Sequence, residues 1–277
     1  LSTSAGNLAL ETGRLSIGVG GTLTANASTI RLNGPSGTLF TRVGTFTPGT
    51  STVEVLTTAD ATLNSGTITF NDLVINAPGT VVTAGAAVAL VDLTITAGTL
   101  DDGGTQIVGN AAGILTIASG AGLEIGSAGT ATTFPTLFTT ANSRLNGTST
   151  VTYGAGVAQN ISGTPTYGHL NLTSPSGSPT KTLLGGINVT GDLFIAGGNT
   201  LTTSGSNFPI TMWGNYQNDG TFTANTGSVT FRSAGPETLA GNMAGTSDFN
   251  TVLFNGAGVF TLGSNLEAAA DFTVTAG

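Results

Sequence analysis

Charged residues are scarce in this chain of 277 residues, at 7% of the sequence, where an ordinary soluble domain has about a quarter. The net charge is −8, and the six lysines and arginines are scattered singly along the chain. Nucleic acids and anionic membrane surfaces both require clustered basic side chains. We therefore expect neither of them as a partner.

Cysteine is absent, which excludes disulfide bonds, thiolate metal sites and cysteine nucleophiles together. The apolar run AGAAVALV at 84–91 is far shorter than the roughly 18 residues of a membrane helix, so we expect no membrane span. No signal peptide opens the chain, and residue 1 already lies within a repeated pattern. This suggests a mature or excised portion of a longer protein.

What the chain does have is glycine, at 43 residues, and hydrophobic residues, at 39%. That apolar content is too high for a disordered tail. With so little charge, the surface must consist mainly of threonine, serine and asparagine, and the branched side chain of threonine favours strands. The composition predicts an all-β protein with many glycine turns.

An internal repeat of 98 residues is the main feature of the sequence. TLFT at 38–41 recurs at 136–139, and TSTV at 50–53 recurs at 148–151, with the same offset. We predict repeats at about 15–114, 115–214 and 215–277, with 1–14 as the end of a preceding repeat. The third copy is shorter, yet the pattern on either side of the gap is intact. Stacked architectures tolerate such losses because each layer contacts only its neighbours.

Shorter strand-like segments lie within each repeat. Thr-x-Thr triplets occur at 22–24, 45–47, 67–69 and 94–96, in steps of about 22 to 27 residues, and glycine turns separate them. Apolar and polar residues alternate within them, as expected of half-buried strands. We predict one continuous β-solenoid over 1–277, a parallel β-helix of about a dozen coils, with tandem β-sandwiches as the alternative.

One sequence motif occurs three times, as FNDLVIN from 70, YGHLNL from 167 and FNTVLFN from 249. The solenoid hypothesis predicts that each return places the same strand face at the same lateral position. His169, the one histidine, then corresponds to Asp72 and Thr251. A position that accepts all three types is predicted to be an outward surface site, and His169 lacks a second histidine for metal binding.

No residue pattern predicts a catalytic, cofactor-binding or metal site, and we expect no enzyme and no cofactor. The recurring Asp92, Asp192 and Asp271 are predicted to accept backbone N–H groups at turns. DDGG at 101–104 is predicted to be a solvated turn, with calcium binding as the alternative. Asn7, Asn110 and Asn215, each preceded by glycine, are predicted to satisfy turn backbone groups inside the solenoid.

The pattern also runs on from the last residues to the first, since DFTVTAG followed by LSTSAGNLALETG resembles the internal run at 92–110. A solenoid that ends within its pattern exposes unpaired strand edges. We therefore expect either further repeats in a longer chain or head-to-tail stacking of identical chains into a filament.

The segments TGSVTF, NDLVIN, FNTVLFN, GDLFI and AGTL resemble the β-strand repeats of giant bacterial surface proteins of the filamentous-haemagglutinin-like adhesin and autotransporter-passenger type. The resemblance implies a right-handed parallel β-helix on a bacterial cell surface or outside the cell, acting as stalk, adhesin or fibre, with a glycan or cell surface as partner. The alternatives are a carbohydrate-active β-helix enzyme, a glycan-binding module and, through outward threonine ladders, an ice-binding solenoid.

Overall fold

The computed structural model describes residues 1–3 and 8–276, and it is all-β, with 50% strand and 2% helix. Parallel strands stack into a β-solenoid of about 12 coils, which confirms the predicted fold class. Strands on successive coils pair in parallel, for example Thr29–Leu32 with Thr52–Val55 and Ile210–Met212 with Ser228–Phe231, which excludes antiparallel sandwiches. The prediction for Asn7 lies outside the described residues.

The chain forms two compact units. Unit 1 consists of 1–124 and 134–144, and unit 2 consists of 125–133 and 145–277. In both units each coil has three sides, and strands on the same side of successive coils form a parallel sheet. The repeats predicted at 15–114, 115–214 and 215–277 are each longer than one coil. They stay a prediction.

In unit 1 we name the sheets 1a, 1b and 1c. The strands of sheet 1a are β1 (Leu10–Thr12), β4 (Thr29–Leu32), β7 (Thr52–Val55), the first parts of β10 (Asp72–Thr83) and β12 (Asp92–Asp101), and β14 (Leu115–Ile117). Those of sheet 1b are β2 (Leu15–Ile17), β5 (Gly37–Arg42), β8 (Ala61–Ser65), the second parts of β10 and β12, and β15 (Gly122–Ile125). Side 1c holds the pair β3 (Thr22–Thr24) and β6 (Thr45–Thr47), and the separate ladder of β9 (Ile68–Thr69), β11 (Val88–Ala89) and β13 (Ile107–Val108). A 3-10 helix (Thr140–Asn142) and β16 (Ser143–Leu145) follow.

In unit 2 we name the sheets 2a, 2b and 2c. The strands of sheet 2a are β17 (Thr150–Tyr153), β20 (His169–Leu172), β23 (Leu193–Ile195), β26 (Tyr216–Asn218), β29 (Glu237–Gly241) and β31 (Phe260–Leu262). Those of sheet 2b are β18 (Gln159–Ile161), β21 (Thr180–Leu183), β24 (Thr200–Thr202) and β27 (Thr221–Thr223). Those of sheet 2c are β19 (Thr166–Tyr167), β22 (Ile187–Val189), β25 (Ile210–Met212), β28 (Ser228–Phe231), β30 (Phe249–Asn255) and β32 (Ala268–Ala276). A second 3-10 helix (Gly245–Ser247) precedes β30.

The alternation of apolar and polar residues places the core. In β12 the side chains of Leu93 and Ile95 are fully buried, while that of Thr94 between them is half-buried. The same residue types recur at the register partners above and below, so aliphatic columns fill the interior. Each coil therefore buries its apolar side chains only against the neighbouring coils, as expected for a solenoid.

Glycine allows two strands to bend from sheet 1a into sheet 1b. Gly79 in β10 and Gly98 in β12 have φ of +71° and +80°, values that side-chain-bearing residues rarely adopt. A Cβ atom at Gly98 would also collide with the carbonyl oxygen of Ala77 in the coil next to it. These glycines form the corner of the coil without breaking the strand.

The register corrects two expectations about the repeat. Register partners lie 18 to 25 residues apart in unit 1 and 19 to 23 in unit 2, so many coils are shorter than the expected 22 to 27 residues. Within unit 2, His169 begins β20 of sheet 2a, but Thr251 lies within β30 of sheet 2c. The second and third copies of the motif therefore lie on different sides of the coil.

The Thr-x-Thr triplets do not form one ladder. The triplets at 22–24 and 45–47 stack in register, as predicted. In the third triplet Ile68 and Thr69 pair with β11, and the fourth triplet belongs to sheet 1a through Thr94. The steps of the triplets are unequal because the triplets lie on different sides of the coil.

Candidate functional site

The corner of the coil that precedes each strand of sheet 2a carries polar and titratable side chains that stack from coil to coil. The sequence did not predict this cluster. Four residues of sheet 2a are successive register partners, namely Leu170, Leu193, Tyr216 and Leu239. The residues immediately before them therefore stack as well. We call the stacked set the polar corner, and it consists of His169, Asp192, Asn215 and Thr238.

Hydrogen bonds connect the polar corner from one coil to the next. The N–H of Asp192 donates to Nδ1 of His169 at 3.0 Å, and the N–H of Asn215 donates to Oδ1 of Asp192 at 2.8 Å. The N–H of Thr238 donates to Oδ1 of Asn215 at 2.8 Å. At the corner these backbone N–H groups have no partner in the sheet ladder. The side chain of the preceding coil supplies the acceptor instead.

The imidazole of His169 and the carboxylate of Asp192 also lie next to each other. Nδ1 of His169 lies 3.2 Å from Oδ2 of Asp192. Because Nδ1 accepts the N–H of Asp192, the neutral ring carries its proton on Nε2. The described residues contain no group of three or more His, Cys, Asp or Glu side chains that could hold a metal ion. His169 is partly exposed, as the sequence predicted.

Trp213 lies beside the polar corner, two residues before Asn215. The guanidinium carbon of Arg232 lies 5.8 Å from the centre of the indole ring. Met212 and Phe231 are register partners, so Trp213 and Arg232 follow them at the same position in successive coils. The arginine covers a face of the indole, and this face is thereby withdrawn from stacking on a sugar ring.

The recurring aspartates share a role in two of three cases. Asp92 accepts the N–H of Ile114 on Oδ1 at 2.7 Å, which is the role of Asp192 in unit 2. Both accept an N–H from the following coil and not from their own turn. Asp271 lies inside β32 as the register partner of Thr251, so its predicted place at a turn is wrong.

A stacked carboxylate pair was missed at the sequence level. Asp72 and Asp92 are register partners on adjacent coils of sheet 1a. Burial first, and then the Asp92 carboxylate, raises the pKa of Asp72. Asp72 accepts hydrogen bonds from Asn71 at 2.7 Å and Thr52 at 3.3 Å. The two strand starts NDL at 71–73 and VDL at 91–93 were the available signal, one coil apart.

The DDGG segment forms a turn that its own aspartates close, and Thr83 of the adjacent coil donates to Oδ2 of Asp101 at 3.3 Å. Oδ1 of Asp101 accepts the N–H of Gly103, and Oδ1 of Asp102 accepts the N–H of Gly104, both at 2.8 Å. Glu124 is the register partner of Asp101, and burial first, then both aspartates, raises the pKa of Glu124. The two Oδ1 atoms thus bond to the turn itself, but Asp102 is buried, so the turn is less solvated than predicted.

Asn110 and Asn215 accept backbone N–H groups, as predicted, but from exposed positions and not from inside the solenoid. Oδ1 of Asn110 accepts the N–H of Ala112 in its own turn, and Asn215 belongs to the partly exposed corner. Asn64 and Asn218 are fully buried instead, and each donates to a carbonyl of the next coil, on Ala86 and Asn242. Sequence alone could not separate them, because their depth depends on which side of the coil they occupy.

The interior of unit 2 contains one lysine, which no sequence pattern indicated. Lys181 is fully buried, and its Nζ donates to the carbonyl of Ala155 at 2.7 Å and to Oε1 of Gln159 at 2.8 Å. Nε2 of Gln159 donates to the carbonyls of Ile125 and Thr132. A polar network therefore fills the core at the point where Gln159 and Lys181 are register partners.

The buried amine makes stability depend on pH. Burial lowers the pKa of Lys181 to about 8. Below that pH the amine is protonated in the folded and unfolded chains alike. Between about pH 8 and about pH 10.5 the unfolded chain binds more protons, so stability rises with pH. We expect the free energy of unfolding to increase by up to about 2 kcal/mol between pH 8 and 9.5.

Urea denaturation at a series of pH values measures this effect. The series stops near pH 9.5 because burial raises the pKa of Tyr153 to about 12, and unfolded tyrosines ionise from about pH 10, which lowers stability. The Lys181→Met variant should lose the rise. A rise of equal size in the variant would show that Lys181 is not its source.

Comparison with known proteins identifies no relative. No protein family, no curated protein and no solved structure matches the chain. Among the described residues, no helix is long and apolar enough to cross a membrane.

Proposed function

We propose that this chain is an extracellular structural segment, a rod-forming part of a bacterial surface protein that associates end to end through its coils. Two features support this function: the sequence resemblance and the geometry of the coil at the C-terminal side of unit 2. The second is decisive, because inward apolar side chains of that coil are exposed.

Apolar columns that are buried inside unit 2 become exposed at this coil. Val252 and Phe254 of β30 are buried, and their register partners in β32 are Phe272 and Val274. Phe272 is 54% exposed and Val274 is 64% exposed. The side chains are thus on the inward face of the strand but have no coil above them in the described chain.

The adjoining strand of sheet 2a shows the same change. Leu239 is fully buried, whereas its register partner Leu262 in β31 is 49% exposed. Together with β32 this leaves an apolar surface and an unpaired parallel edge, which is a template for another strand. We define the axial surface as Leu262, Phe272 and Val274.

A further coil of the same kind fits the axial surface best. Inward aliphatic and aromatic side chains at the same positions would continue the columns, and parallel pairing would continue the ladder. A second copy of the chain can supply this coil head to tail, as can a neighbouring repeat of a longer chain. The contact is heterologous, so it extends into a filament and does not close.

Sedimentation velocity and negative-stain electron microscopy test the proposal on the purified chain. We expect concentration-dependent assembly into filaments for the chain as given and loss of assembly for the double variant Phe272→Asp, Val274→Asp. The matched control is Val157→Asp, Leu184→Asp, because these exposed residues of unit 2 lie in interior coils, away from both ends of the described stack. The control should assemble normally.

Two results would overturn the proposal. One is a chain that stays a dispersed monomer at every concentration tested. The other is equal assembly by the two double variants, which would place the contact elsewhere. Circular dichroism of each variant confirms that the strands are retained.

A further inference from the structure

Sheet 2b presents a regular array of threonines to the solvent. In β21, β24 and β27 the sequences are TKT, TLT and TFT, and the central residues point inward and are buried. The flanking threonines therefore point outward in two columns. We call the array the threonine face, and it consists of Thr180, Thr182, Thr200, Thr202, Thr221 and Thr223.

The register of the threonine face is exact over three coils. Thr180, Thr200 and Thr221 are successive partners, as are Thr182, Thr202 and Thr223, with no bulge between them. Hydroxyls in one column are about 4.8 Å apart across strands, and the two columns are about 6.7 Å apart along the strand.

The hydroxyl groups of the threonine face are mostly uncommitted. In the described part of the chain only Thr202 has a side-chain hydrogen bond, accepting from Ser204 and Asn225 at 3.3 and 3.2 Å. No charged residue occupies an outward position of β21, β24 or β27. The outward ladder of sheet 1a differs, since it contains Glu54 paired with Arg31 at 3.0 Å.

We propose that the threonine face binds the surface of ice crystals. Both spacings of the array lie close to repeat distances between oxygen atoms in hexagonal ice. Hydroxyls at these positions can hold water in lattice positions, while the methyl groups between them add few competing hydrogen bonds. An array without charge also avoids hydration shells that would conflict with the lattice.

A smaller array of the same kind occurs in unit 1. Thr22 and Thr45 are partners, and Thr24 and Thr47 are partners, with buried Leu23 and Phe46 between them. This is the part of the predicted threonine ladder that the structure retains. The larger array lies in unit 2, at triplets that the sequence analysis did not single out.

A matched pair of variants tests the inference. Thr200 is central in the threonine face, and Thr211 is the corresponding half-buried outward residue of sheet 2c in the same coil. Neither side chain has a hydrogen bond in the described structure. Thr200→Lys places a long charged side chain in the array, whereas Thr211→Lys makes the same change outside it.

Thermal hysteresis and partition into a growing ice hemisphere are the measurements. We expect a freezing-point gap and uptake into ice for the chain as given and for Thr211→Lys, and values at the level of buffer for Thr200→Lys. Absence of both signals in the unmodified chain, or equal signals in the two variants, would overturn the inference. The axial-surface variant Phe272→Asp, Val274→Asp should keep ice uptake, so failure here is distinct from failure of end-to-end assembly.

Discussion

Phe231→Ala is expected to lower the free energy of unfolding of unit 2 by about 3–5 kcal/mol. Phe231 is fully buried, and its ring lies against four other aromatic rings. The centroid distances are 5.1 Å to Phe254, 6.0 Å to Phe260, 6.2 Å to Phe249 and 6.4 Å to Tyr216. These rings come from neighbouring coils, so the truncation leaves a cavity that no single coil can collapse to fill.

Phe272→Ala is the matched control for this substitution. Phe272 contacts Phe254 at 5.5 Å but is more than half exposed, so its loss should cost less than about 1 kcal/mol in the monomer. Chemical denaturation at low protein concentration, followed by circular dichroism, measures both values. Equal costs for the two variants would contradict the assignment of Phe231 to the centre of the stack.

Much of the fold follows from local chemistry in the sequence. Alternation such as Leu93-Thr94-Ile95 determines which residues face inward, and the glycines at corners provide positive φ. Both signals act over a few residues, so they survive in a single sequence. That is why the half-buried strands, their inward-facing residues and the stacking of coils could be predicted.

The register between coils could not be predicted as well, because the turn lengths vary. From Leu193 to its partner Tyr216 is 23 residues, whereas from Ile210 to Val229 is 19. Similar phrases can therefore fall on different sides of the coil, as FNTVLFN does in sheet 2c. Positions defined by stacking, including the threonine face and the Asp72–Asp92 pair, were hidden for the same reason.

Buried polar residues were also beyond sequence reasoning. Lys181 lies between two threonines in a segment that reads as an ordinary exposed strand end. Its burial depends on Gln159 and on the Ala155 carbonyl, which lie one coil away. Only the stacked structure shows that these groups satisfy one another.

Removal of one complete coil should leave unit 2 folded. Deletion of Leu193–Asn215 joins Asp192 to Tyr216, which is the register partner of Leu193. Each of the three sheets then loses one strand, β23, β24 or β25, and β26 can stack directly on β20. Because every layer contacts only its neighbours, the remaining columns close over the gap.

Removal of half a coil should prevent folding of the same unit. Deletion of Leu193–Thr203 takes β23 and β24 out but leaves β25, so the chain would pass from one strand of sheet 2c to the next with no path around the core. The hydrophobic faces of sheets 2a and 2b would then be out of register with their neighbours. The smaller deletion is thus expected to have the larger effect.

Thermal unfolding of these two deletions, followed by circular dichroism, tests the layered architecture most directly. We predict a cooperative transition for the chain lacking Leu193–Asn215, at a temperature near that of the intact chain, and loss of that transition for unit 2 in the chain lacking Leu193–Thr203. Cooperative unfolding of both, or of the half-coil deletion alone, would contradict a stack of in-register coils.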